Sequence, residues 1–156
     1  MAEDFTHLNE EGNARMVDVG SKNLTERIAV AEALVLMPDE VRQKLFAGDL
    51  PKGDALGVAR VAAIMAAKQT PALVPLCHPI PIDAVDVAIE ENPMGVRIVV
   101  TARTTAKTGI EMEAMTAASI GAVAVYDMVK GLDRSIEIVT VRLLSKSGGK
   151  SGDWER

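Results

Sequence analysis

The stretch from Ile110 to Val129 constrains the fold more than any other part of the chain, because its helical pattern is apolar on nearly every side. A helix of that kind is buried on most of its surface. Hydrophobic residues make up 48% of the chain and charged residues 25%, which is a globular composition. The 156 residues suffice for one core, so we predict a single domain over residues 1–156.

The start of this helix carries two acidic residues that need different explanations. Thr108 is placed to cap the helix, and Glu111 completes a Thr-x-x-Glu capping box. Glu113 lies two positions further on, about 200° around the helix, in front of a run of apolar residues. A charge there is costly unless it has a partner. That partner is either the amine or guanidine edge of a ligand or a lysine of another subunit.

The predicted elements follow in the order strand, helix, strand, strand, helix, strand, with one additional short helix between Pro38 and Gly48. The strands are predicted at 27–37, 82–90, 96–103 and 136–144, and the main helices at 54–68 and 109–130. This order is typical of the α+β, ferredoxin-like split βαβ sandwich, in which two helices cover one face of an antiparallel sheet. A change of parity after Ile138 indicates a β-bulge. We expect an extended arm at 1–26 and a glycine- and lysine-rich tail at 145–156.

Apolar surface is in surplus in this arrangement. Strand 27–37 is apolar on both parities, and helix 109–130 is apolar all round. Two helices on a small sheet cannot bury all of it. Surplus of this kind marks interfaces, so we predict a homo-oligomer.

Charge and composition exclude several classes of protein. The net charge of −5 and an aromatic content of 3% argue against nucleic-acid binding. A single cysteine, Cys77, excludes an internal disulfide framework and a multi-cysteine zinc site. The acidic, polar start is unlike a secretory signal, and charges or prolines interrupt each alanine-rich stretch before it could span a bilayer. We therefore expect a cytoplasmic protein with no membrane association.

The run from Lys146 to Gly152 indicates anion binding, because paired glycines let backbone N–H groups approach a phosphate while Lys146 and Lys150 supply charge. It is not a P-loop, since Leu144 stands where that motif needs glycine. A flexible charged tail is the alternative. Lys52 precedes a helix N-terminus and is a second candidate anion ligand, with a polar loop residue as the alternative.

The loop at 71–81 contains four prolines, which restrict it and present Leu76, Cys77 and His78 in fixed positions. His78 could donate to a phosphate or shuttle a proton; a rigid connector is the alternative. Cys77 and His78 are a poor metal pair, because adjacent residues of an extended chain point opposite ways. We assign no metal ligand.

Asp127 and Lys130 lie at i,i+3 spacing on one helix face, which fits either a surface ion pair or an acid–base pair. Glu113 and Asp127 are fourteen residues apart on the same helix. At about 1.5 Å per residue the separation is roughly 21 Å. Both therefore reach one reacting centre only if the site is long or is assembled from two subunits.

Six segments, in order, resemble the molybdenum-cofactor biosynthesis protein C family. They are Thr6-His7-Leu8-Asn9, Met16-Val17-Asp18-Val19, Pro75-Leu76-Cys77-His78-Pro79, Thr108-Gly109-Ile110-Glu111-Met112-Glu113-Ala114-Met115-Thr116-Ala117, Tyr126-Asp127-Met128 with Lys130, and Lys146-Ser147-Gly148-Gly149-Lys150-Ser151-Gly152. The resemblance runs from about residue 6 to residue 154 without an obvious gap. Several long motifs in the right order make chance an untenable explanation.

The resemblance implies a ferredoxin-like hexamer, built as a trimer of dimers with active sites at dimer interfaces. It implies a lyase that rearranges a cyclic dihydro-GTP, bonded between ribose C3′ and guanine C8, to a tricyclic pterin with a cyclic phosphate and releases pyrophosphate. A radical S-adenosylmethionine enzyme makes this substrate, so transient contact with that enzyme is expected. The resemblance fixes no cofactor, although Mg²⁺ is compatible with a triphosphate.

Matching of motif positions implies catalytic roles for Lys52, Asp127 and Lys130. It also implies a group of residues that line the substrate site, namely Leu76, Cys77, His78, Met112 and Glu113. We add Lys146 and Lys150 as ligands of the triphosphate. Two other readings of the chain are a regulatory ligand-binding module and an RNA-binding domain of the same topology. The RNA-binding alternative is weak, because strand 96–103 lacks base-stacking aromatic residues.

Overall fold

The computed structural model describes residues 7–156, and the predicted order of elements is confirmed. Residues 1–6 of the expected arm, with Thr6 of the first motif, lie outside the described residues. The elements are β1 (Thr25–Leu36), α1 (Asp39–Ala47), α2 (Ala55–Leu73), β2 (Ala84–Asn92), β3 (Gly95–Ala106), α3 (Glu111–Val129), β4 (Glu137–Ser147) and β5 (Trp154–Glu155). The antiparallel sheet has the order β2-β3-β1-β4-β5, which is the ferredoxin-like arrangement with one short edge strand added.

The core lies between one face of the sheet and the helices α2 and α3. Alternate residues of β1 and β3 are fully buried on that face, as their period of two requires. Small residues let α2 and α3 approach closely: a Cβ added at Gly121 would lie 3.3 Å from the Cβ of Ala63. The alanine-rich composition of both helices therefore has a packing reason beyond helix propensity.

The opposite face of the sheet carries a buried carboxylate. Glu32 is 2% exposed, and its oxygens accept bonds from Arg97 Nε and Arg142 Nε at 2.6 Å each. Burial alone would raise the pKa of Glu32, but the two guanidinium groups outweigh it and lower that pKa. The apolar parity of β1 on this face is thus interrupted by an ion-paired cluster.

The predicted β-bulge is confirmed at Val139. Leu34 pairs with Thr140 and Val35 with Ile138, so Val139 has no partner on β1. A second register shift leaves Leu144 unpaired in the same way, between Ser145 and Leu143. The extra residues bend β4 and return its later side chains to the parity that the core needs.

Several element ends differ from expectation. The predicted capping box is wrong: Ile110 occupies the N-cap of α3, and no side chain caps it. Helix α2 continues to Leu73 and holds Pro71 in its last turn, where the proline removes one helical hydrogen bond and the burial of Thr70 keeps the turn in place. The expected tail is partly strand, because β4 continues to Ser147 and residues 154–155 return as β5.

Helix α3 is long and apolar enough to cross a membrane by length and composition, contrary to our expectation for the alanine-rich stretches. The carboxylates of Glu111, Glu113 and Asp127 stand at its ends and do not divide it. The helix packs instead against α2 and the sheet, with Ala114, Ala118 and other small residues fully buried. A core helix therefore accounts for this composition.

Candidate active site

Asp127 lies between two lysines at the end of α3. Lys130 Nζ is 2.7 Å from Asp127 Oδ1, and Lys52 Nζ is 3.3 Å from Asp127 Oδ2 and 2.7 Å from the Asp127 carbonyl oxygen. The i,i+3 spacing brings Lys130 to the carboxylate, as predicted. Lys52 reaches it from the loop before α2, where Asp54 caps the helix by accepting from Gly57 N–H. The three residues therefore form one exposed Lys52–Asp127–Lys130 cluster within a single chain.

The charges of this cluster fix its resting protonation. Hydrogen bonds from Lys130 and then Lys52 lower the pKa of Asp127. The same bond to Asp127 raises the pKa of Lys130. At neutral pH the carboxylate is ionised and Lys130 is an ammonium. The cluster in this state can donate a proton from Lys130 and accept one at Asp127 only when a substrate disturbs the pairing.

A second cluster lies at the other end of α3, in its first turn. Glu113 is 1% exposed; its Oε1 accepts from the Cys77 thiol at 3.5 Å, and its Oε2 has no partner among the described residues. Glu111, assigned to a cap from sequence, instead forms an ion pair with Lys146 Nζ at 3.1 Å. Burial raises the pKa of Glu113, and burial followed by the Glu113 charge raises the pKa of Cys77 to about 11. Cys77 is thus a hydrogen-bond donor here and not a nucleophile.

The neighbouring His78 contacts a different part of the chain from Cys77. Its Nε2 is 2.7 Å from the carbonyl oxygen of Val17, so the N-terminal arm lies against the loop. Leu76 and Met112 are exposed beside this cluster, 37% and 43% respectively. They offer apolar contact to a planar ligand.

The Gly148–Gly149 segment lies at the same end of the sheet as the second cluster. Both glycines have positive φ, 88° and 79°, a conformation that glycine adopts without strain and that turns the backbone N–H groups out of the strand pattern. Lys146 extends from β4 beside this turn, with its Nζ 3.1 Å from Ser151 Oγ, whereas Lys150 is exposed. Lys146 and Lys150 therefore flank the turn, but Lys146 is already engaged by Glu111 and Ser151.

Sequence reasoning missed Arg27. Its guanidinium donates to the carbonyl oxygens of Ala106 and Lys107 and packs so closely on Gly149 that an added Cβ there would collide with it. Arg27 shares the core-facing parity of β1 with Ala29, and Ala29 pairs with Lys146. A cation on a buried parity was the signal that could have found it.

Arg134 was also missed, and no sequence pattern pointed to it. A cleft of about 400 Å³ beside the Lys52–Asp127–Lys130 cluster is lined by Tyr126, Lys130, Gly131 and Arg134. The adjacent Asp133 accepts from Ser135 N–H at 2.6 Å, so its carboxylate is bound locally. Arg134 makes no ion pair among residues 7–156 and remains available to an anion.

The fold and these residues define a class: a small α+β enzyme with a Lys–Asp–Lys cluster at one end of its long helix and a lysine-flanked glycine turn at the other. Comparison with known proteins makes this specific. The model of the MoaC family matches residues 16–149, and the chain belongs to that family.

The chain is also similar to curated members of the family over nearly its whole length. It is 54% identical over 150 residues to the cyclic pyranopterin monophosphate synthase of Corynebacterium glutamicum (strain R), covering 96% of each chain. The enzymes of the same name from Roseiflexus castenholzii (55% identical, 96% of each chain) and Syntrophomonas wolfei (52% identical, 98% of this chain and 99% of the relative) are similarly close.

Proposed function

We propose that the chain is a cyclic pyranopterin monophosphate synthase. It converts (8S)-3′,8-cyclo-7,8-dihydroguanosine 5′-triphosphate to cyclic pyranopterin monophosphate and releases pyrophosphate, an early step of molybdenum cofactor biosynthesis. Curated relatives carry that name at 52–55% identity over nearly the full chain. The observation that carries the proposal is the Asp127 carboxylate held between two ammonium groups, because ring opening and reclosure need repeated proton transfers.

In this reaction Lys130 and Lys52 transfer protons to and from the reacting sugar, and they stabilise the negative charge that develops on the sugar and phosphate. The raised pKa of Lys130 keeps it protonated at neutral pH, so in the first half of a cycle it can only donate a proton. It becomes a base only after it has given up that proton. Asp127, ionised between the lysines, orients both ammonium groups and accepts a proton from the rearranging substrate.

The remaining candidate residues bind the substrate. Glu113 Oε2 is a buried oxygen without a partner in the part of the chain that the structure describes, which suits a donor edge of the guanine-derived ring. Cys77 donates to the other oxygen of Glu113, and Leu76, His78 and Met112, the neighbours of these two residues along the chain, complete the proposed substrate contacts. Lys146 and Lys150 bind the triphosphate with the Gly148–Gly149 turn, and Arg27 adds a third cation there.

We further propose that each active site takes the Glu113 cluster from one subunit and the Asp127 cluster from another, in a hexamer that is a trimer of dimers. Two observations support this assembly. The clusters stand at opposite ends of α3, roughly 21 Å apart. The outer faces of α2 and α3 also expose large apolar side chains that a partner would cover: Val58, Val61, Met65, Ile120 and Val123.

Other parts of the proposal concern the setting of the enzyme. The substrate is supplied by a radical S-adenosylmethionine enzyme, with which transient contact is expected. We expect the protein to work in the cytoplasm without nucleic acid or membrane partners, in keeping with its net charge of −5.

The decisive experiment is to incubate the purified protein with the cyclised GTP precursor and to detect pterin product and pyrophosphate by mass spectrometry. Wild-type protein should form both in equal amounts, and Asp127→Asn protein, matched for concentration and folding, should form neither at a comparable rate. Binding of the precursor without any conversion by the wild type would favour a regulatory module and refute the proposal.

A further inference from the structure

The Gly148–Gly149 turn already holds an anionic oxygen in the free protein. Gly148 N–H donates to Asp153 Oδ1 at 3.1 Å. The turn cannot easily be built otherwise, because a Cβ on Gly148, at φ 88°, would lie 2.1 Å from the carbonyl oxygen of Glu26. A backbone shaped to present an N–H group to an oxygen anion is thus satisfied by a carboxylate five residues further along.

Lys146, which lies beside this turn, also has partners within the free protein. Lys146 Nζ contacts Glu111 Oε1 and Ser151 Oγ, both at 3.1 Å. Asp153 and Lys146 line one open cleft of about 320 Å³ together with Trp154, the first residue of β5. Carboxylate and phosphate oxygens compete for the same donors, since both are charged acceptors of N–H bonds. A phosphate entering this cleft therefore meets donors that are already satisfied.

We propose that Asp153 sets the affinity of the Gly148–Gly149 turn for phosphate. Its carboxylate accepts the Gly148 N–H bond in the free protein and gives up that bond when a phosphate oxygen of the ligand takes it. This inference rests on the proposed function, in which a triphosphate enters and pyrophosphate leaves. Binding then costs the exchange of one charge-assisted bond for another and the placing of a carboxylate next to a polyanion. The return of Asp153 to Gly148 favours the release of pyrophosphate.

The tail geometry suits such an exchange. Gly149 and Gly152 both have positive φ, 79° and 67°, and Gly152 N–H donates to the Gly149 carbonyl oxygen, so a tight turn separates Gly148 from Asp153. The pairing of Trp154 with Lys146 anchors the chain directly after Asp153. Only the side chain of Asp153 has to rotate for the Gly148 N–H group to become free.

The test measures inorganic pyrophosphate binding to the full-length protein by isothermal titration calorimetry. Asp153→Asn removes the charge and keeps the shape, so its neutral amide oxygen holds the Gly148 N–H bond less strongly than the carboxylate does. This variant should bind pyrophosphate about three- to tenfold more tightly than wild type, the scale of one ordinary net hydrogen bond. The matched control is Glu155→Gln, which removes a charge that lines the same cleft but whose side chain makes no hydrogen bond or ion pair among the described residues. Its affinity should stay within about twofold of wild type. Asp153→Ser provides a second neutral variant should the amide fold poorly.

The outcomes separate this inference from the proposed function. Equal tightening by Asp153→Asn and Glu155→Gln would assign the effect to local charge alone and overturn the role of the Gly148 bond. Unchanged or weaker binding by the neutral variants, or no pyrophosphate binding by any of the proteins, would overturn it as well. Turnover of the cyclised precursor, measured in parallel, tests the proposed function. If Asp153→Asn continues to turn over the precursor, with a lower KM and stronger inhibition by pyrophosphate, the result supports both the proposed function and the role of Asp153.

Discussion

Asp127 is the residue on which the proposed chemistry depends most directly. Its side chain is about half exposed and bears on no core packing, so Asp127→Asn should fold normally. Turnover should fall by at least about 10²-fold, the usual effect of removing a positioned acid or base, while precursor binding persists. Lys52→Ala should behave likewise. Steady-state kinetics with a circular dichroism control measure this, and a variant of either residue that retains more than a tenth of wild-type kcat would contradict the assignment.

Ionisation of the buried Glu113 side chain should lower the stability of the folded protein. Burial raises its pKa above the ordinary value of 4.5, and it is faced by Cys77 and Glu111, with Lys146 paired to Glu111. Between the unfolded and folded pKa values the folded state keeps a proton that the unfolded state has lost, so stability falls as pH rises. Glu113→Gln removes this loss.

Thermal unfolding of both proteins from pH 4 to pH 8 tests the point. The stability of Glu113→Gln relative to wild type should rise steadily above pH 4.5, although precursor binding is impaired. Glu137→Gln, at an exposed carboxylate, serves as the control and should reproduce the wild-type profile. A flat difference between Glu113→Gln and wild type would contradict a buried carboxyl that resists ionisation.

At the scale of single residues, the sequence predicted contacts between near neighbours on a helix better than contacts between distant parts of the chain. The i,i+3 pairing of Asp127 with Lys130 follows from helix periodicity alone, and the structure contains it. Glu111 was misassigned because a capping motif is local, whereas its actual partner, Lys146, is brought close only by the pairing of β4 with β1. Arg27 lies on a buried parity that the sequence shows, but its contacts with Ala106 and Lys107 arise only from the pairing of β1 with β3.

At the scale of elements, the close approach of α2 and α3 makes a specific prediction. Gly121 faces Ala63, and a Cβ there would already be in tight contact at 3.3 Å. Gly121→Val should therefore destabilise the protein by about 1–3 kcal/mol through overpacking. Gly131, just beyond the helix, has nothing within 4 Å of an added Cβ, so Gly131→Val is the control and should cost much less. Urea denaturation measures both, and equal midpoints would show that the helices have room to separate.

Strand alternation and the bulge at Val139 were predictable, because each depends only on whether apolar residues fall at odd or even positions among a few neighbours. Helix ends were less so. The last turn of α2 continues through Pro71 since packing of Thr70 and its neighbours outweighs the local preference to stop. Local signals thus define the type of an element, and tertiary contacts decide where it ends.

At the scale of the whole molecule, the surplus of apolar surface noted in the sequence corresponds to real exposed faces. Val61 and Val123 are 57% and 51% exposed on adjacent helices. Sequence periodicity predicted this surplus, but it could not predict which face remains uncovered, because that depends on how α2 and α3 pack on the sheet. The same packing leaves the two functional clusters at opposite ends of one chain.

The final prediction follows from that separation. Asp127→Asn and Glu113→Ala proteins should each be inactive, but a mixture allowed to exchange subunits should regain activity. In a mixed dimer one shared site carries both defects and the other carries neither. Random pairing in equal amounts then restores about a quarter of the sites. Subunit exchange is verified independently by native mass spectrometry of isotope-labelled chains.

A matched mixture makes the result specific. Asp127→Asn and Lys130→Ala lie in the same cluster, so every site of their mixed dimers carries one defect and activity should not return. Recovery in the first mixture and not in the second requires that each site combine the start of α3 from one chain with the end of α3 from another. No recovery in either mixture, with exchange proven, would mean that a single chain builds each site and that the 21 Å between the clusters (roughly, from the helix rise) is spanned by the substrate.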